Sequence, residues 1–354
     1  MPDGFTKVRT MSFPRQVRTG HDCVGQIGTM CEDFGLKGTA LIVTGPTTGK
    51  LAAKPVKESL LQKKYEVQQV EVGGATQQNL VKVEETTKDV QASFLVGVGG
   101  GSKIDLAKLA SANLKMPFIS VPTSASHDGI ASPRASIKDG ANSLSLNAAV
   151  PMGVIADTML IVKAPYRLLA AGCADVISNS TAIMDWQLAE RLRTEDFSSS
   201  AANLAKYAAE SIIENASAIK PNLEESVWIA IRPVIISGIS MAVAGSSRPT
   251  SGSEHMFSHV LDNIAPGKAL HGEQCGVGSI MMMYLHGGDW QRIREALQMI
   301  GAPTTAKELD VTKEQLIDAL VHAHEIRKDR YTILGDRGLT ADSAERLARI
   351  TKVI

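Results

Sequence analysis

Residues 94–108 constrain the fold of this chain more than any other stretch, because an apolar run there passes through a glycine-rich segment into a helix start. The stretch reads FLVGVGGGSKIDLAK, with glycine at 97 and at 99 to 101. The apolar run predicts a buried strand, and Ser102 is a typical N-cap for a helix that continues through Asp105 and Lys108. A strand, a tight turn and a helix N-terminus in this order present free backbone N–H groups to an anion.

The anion that we expect at this turn is the diphosphate of a nicotinamide dinucleotide, since a Cβ would keep a diphosphate away from the backbone. The match to the G-x-G-x-x-G fingerprint is incomplete, because Ser102 stands at the third glycine position. The fingerprint also belongs to the first strand–helix unit, and two strand candidates precede this one. A simple tight loop therefore stays open as the alternative on this stretch alone.

Strand and helix patterns alternate through the first half of the chain, which predicts a parallel α/β sheet. The continuous apolar run at 40–44 is typical of a strand buried on both faces. We also expect strands at 8–13 and 153–161 and a hairpin whose turn lies at 138–142. Polar clusters follow three of the strands, where ligands bind in such sheets, at 44–49, 99–103 and 123–126.

The pattern changes near Pro165, beyond which helical periodicity dominates and strand patterns are almost absent. One long helix is predicted over 166–192, and further helices follow to the end of the chain. We therefore predict two domains, an α/β dinucleotide-binding domain at 1–164 and an all-helical domain at 165–354 that carries metal and substrate.

Charge and composition exclude several classes of function. Lys plus Arg and Asp plus Glu both number 37, so no overall basic field is available for nucleic acid. The sequence contains no run of 18 or more apolar residues, so we expect no membrane span, and residues 1–4 lack the features of a signal peptide. The four cysteines form no C-x-x-C pair, which indicates free thiols and a cytoplasmic location.

Asp175, His255 and His271 are candidate metal ligands in the helical half. His255 opens a predicted helix, with His259 one turn later on the same face, and His271 lies between turn residues. One carboxylate and two imidazoles suit a catalytic zinc whose fourth position stays open. The three residues are far apart in sequence, however, and the segment His-Met-Phe-Ser-His lacks the glutamate of H-E-x-x-H. Packed or solvated histidines are the alternative interpretation.

Five segments in order resemble a known family. They are GVGGGSKID at 97–105, PTSASHDG at 122–129, ADVISN at 174–179, SGSEHMFSH at 251–259 and ALHGEQ at 269–274. Together they are similar to the archaeal sn-glycerol-1-phosphate dehydrogenases. That family belongs to the superfamily of iron-containing alcohol dehydrogenase, glycerol dehydrogenase and dehydroquinate synthase. The resemblance runs from about residue 13 to the C-terminus.

The resemblance implies a dehydroquinate synthase-like fold, with a Rossmann-like domain, a helical domain and the active site between them. It implies reduction of dihydroxyacetone phosphate by NADH or NADPH to sn-glycerol 1-phosphate, the backbone of archaeal ether lipids. Within this mechanism the metal polarises the carbonyl as a Lewis acid while the nicotinamide delivers hydride. We expect a homo-oligomer, no nucleic-acid partner and no membrane span.

Matching motif positions assign the site residues. The resemblance implies that Asp175, His255 and His271 bind one zinc ion per subunit, with nickel or iron as alternatives. Asp128, His259 and Asp175 would act on the substrate, although an aspartate in a polar loop can also be a mere turn former. The residues implied to bind the dinucleotide are Gly99, Gly100, Gly101, Ser102, Lys103, Ile104, Asp105, Thr123, Ser124, Ala125, Ser126 and Ser132.

Two questions of specificity stay open at this point. Lys268, Arg248 and Arg327 are all candidates for the substrate phosphate. In many NAD-specific relatives an aspartate after the first strand binds the adenine ribose, whereas Thr44 and Gly45 carry no carboxylate here. We therefore predict that both NADH and NADPH are accepted.

Three other functions compete with this interpretation. The first is a polyol dehydrogenase whose substrate lacks phosphate. The second is a dehydroquinate synthase-like lyase, which would regenerate its dinucleotide. The third is a metal-free scaffold, which would be expected to have lost one of the three candidate metal ligands.

Overall fold

A computed structural model describes residue 8 and residues 10–139 and 142–354. Its strands are β1 (Gln16–Gly20), β2 (Thr39–Thr44), β3 (Glu66–Glu71), β4 (Ala92–Gly99), β5 (Phe118–Pro122), β6 (Arg134–Asp139), β7 (Asn142–Asn147) and β8 (Gly153–Asp157). Its α-helices are α1 (Ile27–Asp33), α2 (Pro46–Thr48), α3 (Lys54–Gln62), α4 (Gln77–Asp89), α5 (Gly101–Leu114), α6 (Thr158–Ile161), α7 (Tyr166–Ile177), α8 (Asn179–Arg193), α9 (Ser199–Glu214), α10 (Glu224–Ala244), α11 (Ser253–Ile264), α12 (His271–Leu285), α13 (Trp290–Ile300), α14 (Lys313–His322) and α15 (Ala341–Ile350). Shorter 3₁₀ helices lie at Val24–Gln26, Asp128–Ile130, Ala216–Ala218 and Ala323–Glu325, and a π-helix at Gly49–Ala53 joins α2 to α3.

Six strands form one parallel sheet in the order β1-β8-β5-β4-β2-β3, and β6 pairs with β7 as a separate antiparallel hairpin. Because β5, β4 and β2 are neighbours in the sheet, the polar segments after their carboxyl ends meet at one edge. A hydrogen bond of 3.0 Å from Thr123 N to Gly99 O joins two of these segments. The predicted parallel α/β architecture is confirmed.

Side chains of the central strands pack alternately into two cores. On β2, Leu41 and Val43 join the larger core, whereas Ala40 and Ile42 join the core on the opposite face of the sheet. All four are fully buried. A continuous apolar run is therefore the sequence that a central parallel strand requires, since both of its faces are covered.

The first and last strands of the sheet differ from expectation. Val8, Met11 and Phe13 are exposed and not in a strand; of the predicted strand at 8–13, residue 9 lies outside the described residues. The edge strand is β1 instead, whose mixed sequence QVRTG gives little apolar signal. The strand predicted to reach residue 161 ends at Asp157, because this carboxylate accepts hydrogen bonds from Met159 N and Leu160 N and caps α6.

The structure confirms the predicted hairpin and divides the predicted long helix in two. The hairpin prediction is confirmed by the pairing of β6 with β7, but residues 140 and 141 of its turn lie outside the described residues. The helix predicted over 166–192 is two helices, α7 and α8, that meet at Ser178. The Ser178 hydroxyl donates to Asp175 O at 2.6 Å, so the break lies beside a candidate metal ligand.

From residue 158 onward the described residues form helices joined by turns and loops, with no strand. The 21-residue helix α10 is long and apolar enough to cross a membrane by length and composition. Within the molecule, however, 72% of its most apolar 18-residue segment is buried. It therefore packs as a central core helix, which is how a largely apolar helix behaves inside a large protein.

Lys108 anchors the hairpin to α5 from a fully buried position. Its Nζ donates to Gly129 O and Arg134 O, each at 2.5 Å, and lies 3.3 Å from Asp105 Oδ1. Asp105 Oδ2 in turn accepts from Ser136 N at 3.1 Å. Burial lowers the pKa of Lys108, an effect that the charge of Asp105 opposes. This network fixes the loop between β5 and the hairpin.

We predict that Lys108→Met lowers the free energy of unfolding by about 3 kcal/mol or more, because it leaves a buried carboxylate and two buried carbonyls without their donor. Lys57→Met is the matched control on the exposed face of α3 and should change stability by less than about 0.5 kcal/mol. Urea unfolding of both variants measures the difference. Equal stabilities of the two variants would contradict this role of Lys108.

Candidate active site

Three helices bring the candidate metal ligands together. Asp175 lies near the end of α7, His255 in the first turn of α11 and His271 at the first residue of α12. Asp175 Oδ1 is 3.7 Å from His255 Nε2 and 3.8 Å from His271 Nε2. Ligands bound at about 2.0–2.2 Å to one tetrahedral ion lie roughly 3.3–3.6 Å apart, so shifts of a few tenths of an ångström suffice. The three residues fit a single divalent cation.

Cys275 joins this cluster from the next turn of α12. One ligand atom from each of Asp175, His255, His271 and Cys275 lies within 4.8 Å of the others. Cys275 Sγ is 3.6 Å from His271 Nε2. Burial raises the pKa of the Cys275 thiol well above its usual value, and the charge of Asp175 adds to that rise. The sequence had indicated only a free thiol, because a cysteine four residues after a histidine is not itself a metal motif.

Hydrogen bonds aim His255 at the cluster. Its Nδ1 lies 2.9 Å from Glu254 Oε1, which leaves Nε2 free to face Asp175. Glu254 is fully buried, and its other oxygen accepts from Thr181 Oγ1 at 2.7 Å. A carboxylate behind a ligand histidine fixes the ring and raises its basicity.

Ser258 fixes the tautomer of His271. The Ser258 hydroxyl donates its one hydrogen to Gln274 Oε1 at 2.6 Å, so its oxygen accepts from His271 Nδ1 at 3.0 Å. The lone pair of His271 Nε2 then faces the cluster. The sequence assigned no role to Glu254 or Ser258, because a residue beside or between ligands gives no spacing signal.

Burial sets the charges in the cluster. It lowers the pKa of His255 and His259 well below the usual value, with the nearby His271 as the next cause, so both rings are neutral at neutral pH. The pKa of His271 is also lowered by burial. Burial raises the pKa of Asp175 to about 7. Neutral imidazoles and a carboxylate that loses its proton near pH 7 are the forms that bind a cation.

Asp128 connects the α/β half to this cluster. Its backbone N–H donates to Asp175 Oδ2 at 3.1 Å, and its Oδ2 accepts from Ser237 Oγ on α10 at 2.8 Å. Burial raises the pKa of the Asp128 carboxyl, and the charge of Asp175 raises it further. The ring of His259 stacks on His271 with centroids 5.8 Å apart. Asp128, His259 and the metal cluster line one cavity of about 440 Å³.

Three glycines of the helical half allow this close approach. A Cβ on Gly172 would lie 1.8 Å from Ala125 O, and one on Gly238 would lie 2.4 Å from Asp128 O. A Cβ on Gly272 would lie 2.0 Å from Ala171 O. No larger residue fits at these positions, so the loop after β5 rests directly on α7 and α10.

The glycine turn adjoins this cavity through His127, which lines the cavity and packs against Gly101. Helix α5 begins at Gly101 with Gly100 as its N-cap, so the expectation of Ser102 as N-cap was wrong. A Cβ on Gly101 would lie 1.9 Å from His127 Nε2, which shows how little room the turn leaves. The first N–H groups of a helix have no partner within it, so this turn retains donors for an anion.

Most predicted dinucleotide ligands border this turn. Lys103 Nζ is 2.9 Å from Ser102 Oγ, and its Cε would lie 2.6 Å from a Cβ on Gly45. Ser124 Oγ would lie 3.2 Å from a Cβ on Gly100. The segment from Gly99 to Lys103 therefore meets the segments after β2 and β5, as the sheet order requires.

Other predicted dinucleotide ligands have structural contacts of their own. Ile104 belongs to the hydrophobic core, and Asp105 pairs with Lys108 and Ser136 N. Ser132 is buried in the cavity wall, where its hydroxyl donates to Arg134 O at 3.2 Å. Ala125 and Ser126 lie where the loop after β5 contacts α7, through Gly172. None of the first three side chains is free to face the turn without breaking these contacts.

Glu71 is a carboxylate that the coenzyme prediction did not consider. Thr44 and Gly45 indeed carry no acid at the end of β2, but Glu71 ends the adjacent strand β3. Its Oε1 would lie 3.3 Å from a Cβ on Gly49. The expected acceptance of both coenzymes therefore stays a prediction, with this acid as the group that would oppose a 2′-phosphate.

Comparison with known proteins identifies close relatives. A family model for iron-containing alcohol dehydrogenase matches residues 18–165. A Methanosarcina barkeri protein named glycerol-1-phosphate dehydrogenase [NAD(P)+] is 56% identical over 344 residues, 97% of this chain and 96% of its own. The protein of that name from Methanothermobacter thermautotrophicus is 56% identical over 346 residues, 98% of this chain and 99% of its own.

The fold is shared with solved structures at low sequence identity. The crystal structure of glycerol dehydrogenase from Schizosaccharomyces pombe superimposes with a TM-score of 0.79 at 19% identity. The match covers 98% of this chain and 91% of that one. The predicted dehydroquinate synthase-like fold, with its parallel α/β part and helical part, is therefore confirmed.

We predict that Glu254→Gln weakens metal binding about 10-fold or more, because it removes the negative charge that orients and polarises His255. Competition between the apo protein and a chromogenic chelator for Zn²⁺ measures the affinity. Glu295→Gln, on the exposed face of α13, is the matched control and should bind as the wild type does. Unchanged affinity in Glu254→Gln, with the fold intact by circular dichroism, would contradict the role of this carboxylate.

Proposed function

We infer that this chain, which belongs to the glycerol-1-phosphate dehydrogenase family, reduces dihydroxyacetone phosphate to sn-glycerol 1-phosphate with NADH or NADPH and a divalent metal. The observation that carries this conclusion is the meeting of Asp175, His255 and His271 in one cavity with Asp128 and His259. In archaea, to which these relatives belong, the product is the backbone of ether lipids.

We propose that Asp175, His255 and His271 hold the cation, and zinc suits one carboxylate with two imidazoles. When bound, the cation supplies Lewis-acid polarisation of the C2 carbonyl and the dinucleotide supplies hydride. Glu254 and Ser258 orient the two imidazoles toward the site, and burial keeps the rings neutral. The residues that border the glycine turn, from Gly99 to Lys103 with Thr123 and Ser124, are proposed to bind the dinucleotide.

Asp128 and His259 are the proposed substrate residues. One carboxylate oxygen of Asp128 is held by Ser237, which leaves the other for a substrate hydroxyl. His259 is neutral, so it can accept and donate a hydrogen bond at once. We propose that a proton from solvent reaches the oxygen that becomes the C2 hydroxyl through water or through His259, whose neutral ring releases one proton only as it takes up another.

The organisation of the chain supports three further proposals. The α/β part and the helical part are proposed as domains at 1–164 and 165–354, and Pro165, the N-cap of α7, stands at the boundary. Leu192 and Tyr207, 59% and 60% exposed on the helical part, support association of copies into a homo-oligomer. Four buried free thiols support a reducing, cytoplasmic location.

A polyol dehydrogenase acting on an unphosphorylated substrate is the second candidate, because the fold is shared with glycerol dehydrogenase. It predicts that dihydroxyacetone is reduced at least as well as its phosphate. A dinucleotide-regenerating lyase predicts no net consumption of NAD(P)H. A metal-free scaffold would not keep all three candidate ligands within reach of one ion, as Asp175, His255 and His271 are here.

We predict that the purified protein oxidises NADPH when dihydroxyacetone phosphate is added and forms sn-glycerol 1-phosphate as the single enantiomer. A chelator should abolish turnover, and NADH and NADPH should differ by less than about a hundredfold in kcat/KM. His271→Ala should lose metal and turnover together, by about a hundredfold or more. The assay follows NADPH absorbance and identifies the product with an enantiospecific enzyme. Production of the other enantiomer, or a preference for dihydroxyacetone, would contradict the proposed function.

A further inference from the structure

Two of the three candidates for the substrate phosphate, Lys268 and Arg248, are neutralised by carboxylates. Lys268 Nζ is 2.8 Å from Asp310 Oδ2, at an exposed position. Arg248 forms a buried bidentate pair with Glu195 and also donates to Tyr331 O. Because their charges are already paired, these two candidates for an anionic ligand need to break ion pairs before they can bind one.

Two arginines of the same cavity have no carboxylate partner. Arg327 is half-buried in the turn after the 3₁₀ helix Ala323–Glu325, and its side chain makes no hydrogen bond or ion pair with any residue that the structure describes. The guanidinium of Arg134, at the start of β6, donates only to neutral groups of β7: to Ser145 O at 2.7 Å, to Ser145 Oγ and to the Asn147 side chain.

These two guanidinium groups act on each other across the cavity. Burial lowers the pKa of Arg134, and the charge of Arg327 lowers it further. The charge of Arg327 also contributes, after burial, to the lowered pKa of His255 and His259. Arg327 lines the same cavity as the candidate metal ligands and the proposed substrate residues.

Arg330 supports the segment behind Arg327. Its guanidinium donates to Ser251 O at 2.5 Å and to Ser247 Oγ at 3.0 Å, and both serines line the cavity. Burial, followed by the charges of Arg327 and Arg248, lowers the pKa of Arg330 to about 9. Glu195 and Asp329 offset part of this repulsion, but the net effect on Arg330 is still a lowered pKa, so an anion bound beside Arg327 would relieve it.

We propose that Arg327, with Arg134 opposite it on the hairpin of the α/β half, binds the phosphate of a small phosphomonoester substrate. This inference rests on the proposed function and identifies the phosphate ligands that the sequence left open. A dianion placed between two guanidinium groups removes their repulsion and forms charge-assisted hydrogen bonds with each. Because one arginine lies in each half of the chain, the phosphate would connect both walls of the cleft.

Other anions fit this position less well. The coenzyme diphosphate is expected at the glycine turn, where the N-terminus of α5 provides donors. Lys138 also lines the cavity, but its side chain is exposed on the hairpin strand that contacts α5. The arginine pair therefore favours the substrate phosphate over either phosphate group of the coenzyme.

The test is steady-state kinetics of Arg327→Ala with dihydroxyacetone phosphate as the varied substrate. We expect KM for this substrate to rise about 10- to 100-fold, the effect of a lost charged hydrogen bond. KM for NADH and for NADPH should change by less than about threefold, and inhibition by inorganic phosphate should weaken in parallel with the substrate. Arg327→Lys should recover part of the loss, since it restores the charge but not the fork of donors.

Arg337→Ala, an exposed arginine ten residues further along the chain, is the matched control and should leave both KM values unchanged. An unchanged KM for dihydroxyacetone phosphate in a folded Arg327→Ala enzyme would overturn the proposal, and so would an effect confined to NADPH.

If the wild type does not reduce dihydroxyacetone phosphate, the proposed function fails by itself. The arginine pair is then tested by whether inorganic phosphate raises the melting temperature of the wild type but not that of Arg327→Ala, and equal shifts would overturn it.

Discussion

The hydrogen bond from the Asp128 backbone N–H to the Asp175 carboxylate is the contact on which the active site depends. It joins the loop after β5 to α7, and so it joins the proposed dinucleotide site to the proposed metal site. The contact is possible only because Gly172, Gly238 and Gly272 let backbone meet backbone without a Cβ between. The two carboxylate oxygens of Asp175 divide these contacts. Oδ2 accepts from the Asp128 N–H of the loop, and Oδ1 faces the two histidines.

Burial keeps the imidazoles of this site in the neutral form that binds a cation, but it also costs free energy, because polar and acidic groups lose contact with water. Two acids, Asp128 and Asp175, face one another in a protein interior, and four imidazoles line the same cavity. Two of those rings donate from Nδ1 to Glu254 and Ser258, which directs their Nε2 atoms inward. An interior cluster of this kind is an unfavourable arrangement for a protein without a cation, and a divalent ion resolves it.

The sequence predicted the parts of this molecule whose signal is local. Residues 40–44 are apolar on both faces of a central strand, and the glycine turn is a contiguous run, so strand and turn were both found. The sequence offered Asp175, His255 and His271 as candidate ligands only by residue type. The order of the family motifs was needed to select them, and the fold brings them together. Glu254, Ser258 and the glycine contacts act through tertiary neighbours, which leave no periodic pattern. The edge strand β1 was misplaced, because a half-exposed strand lacks the apolar run that reveals β2.

The most direct test of the account is the metal content of Asp175→Asn compared with its affinity for dinucleotide. Asparagine keeps the shape and removes the charge, so the account predicts that the variant loses the stoichiometric metal found in the wild type. Its dissociation constant for NADPH, followed by coenzyme fluorescence, should stay within about threefold, since the glycine turn is untouched. A variant that retains a full equivalent of metal would contradict the central claim that Asp175 and the two histidines form the metal centre.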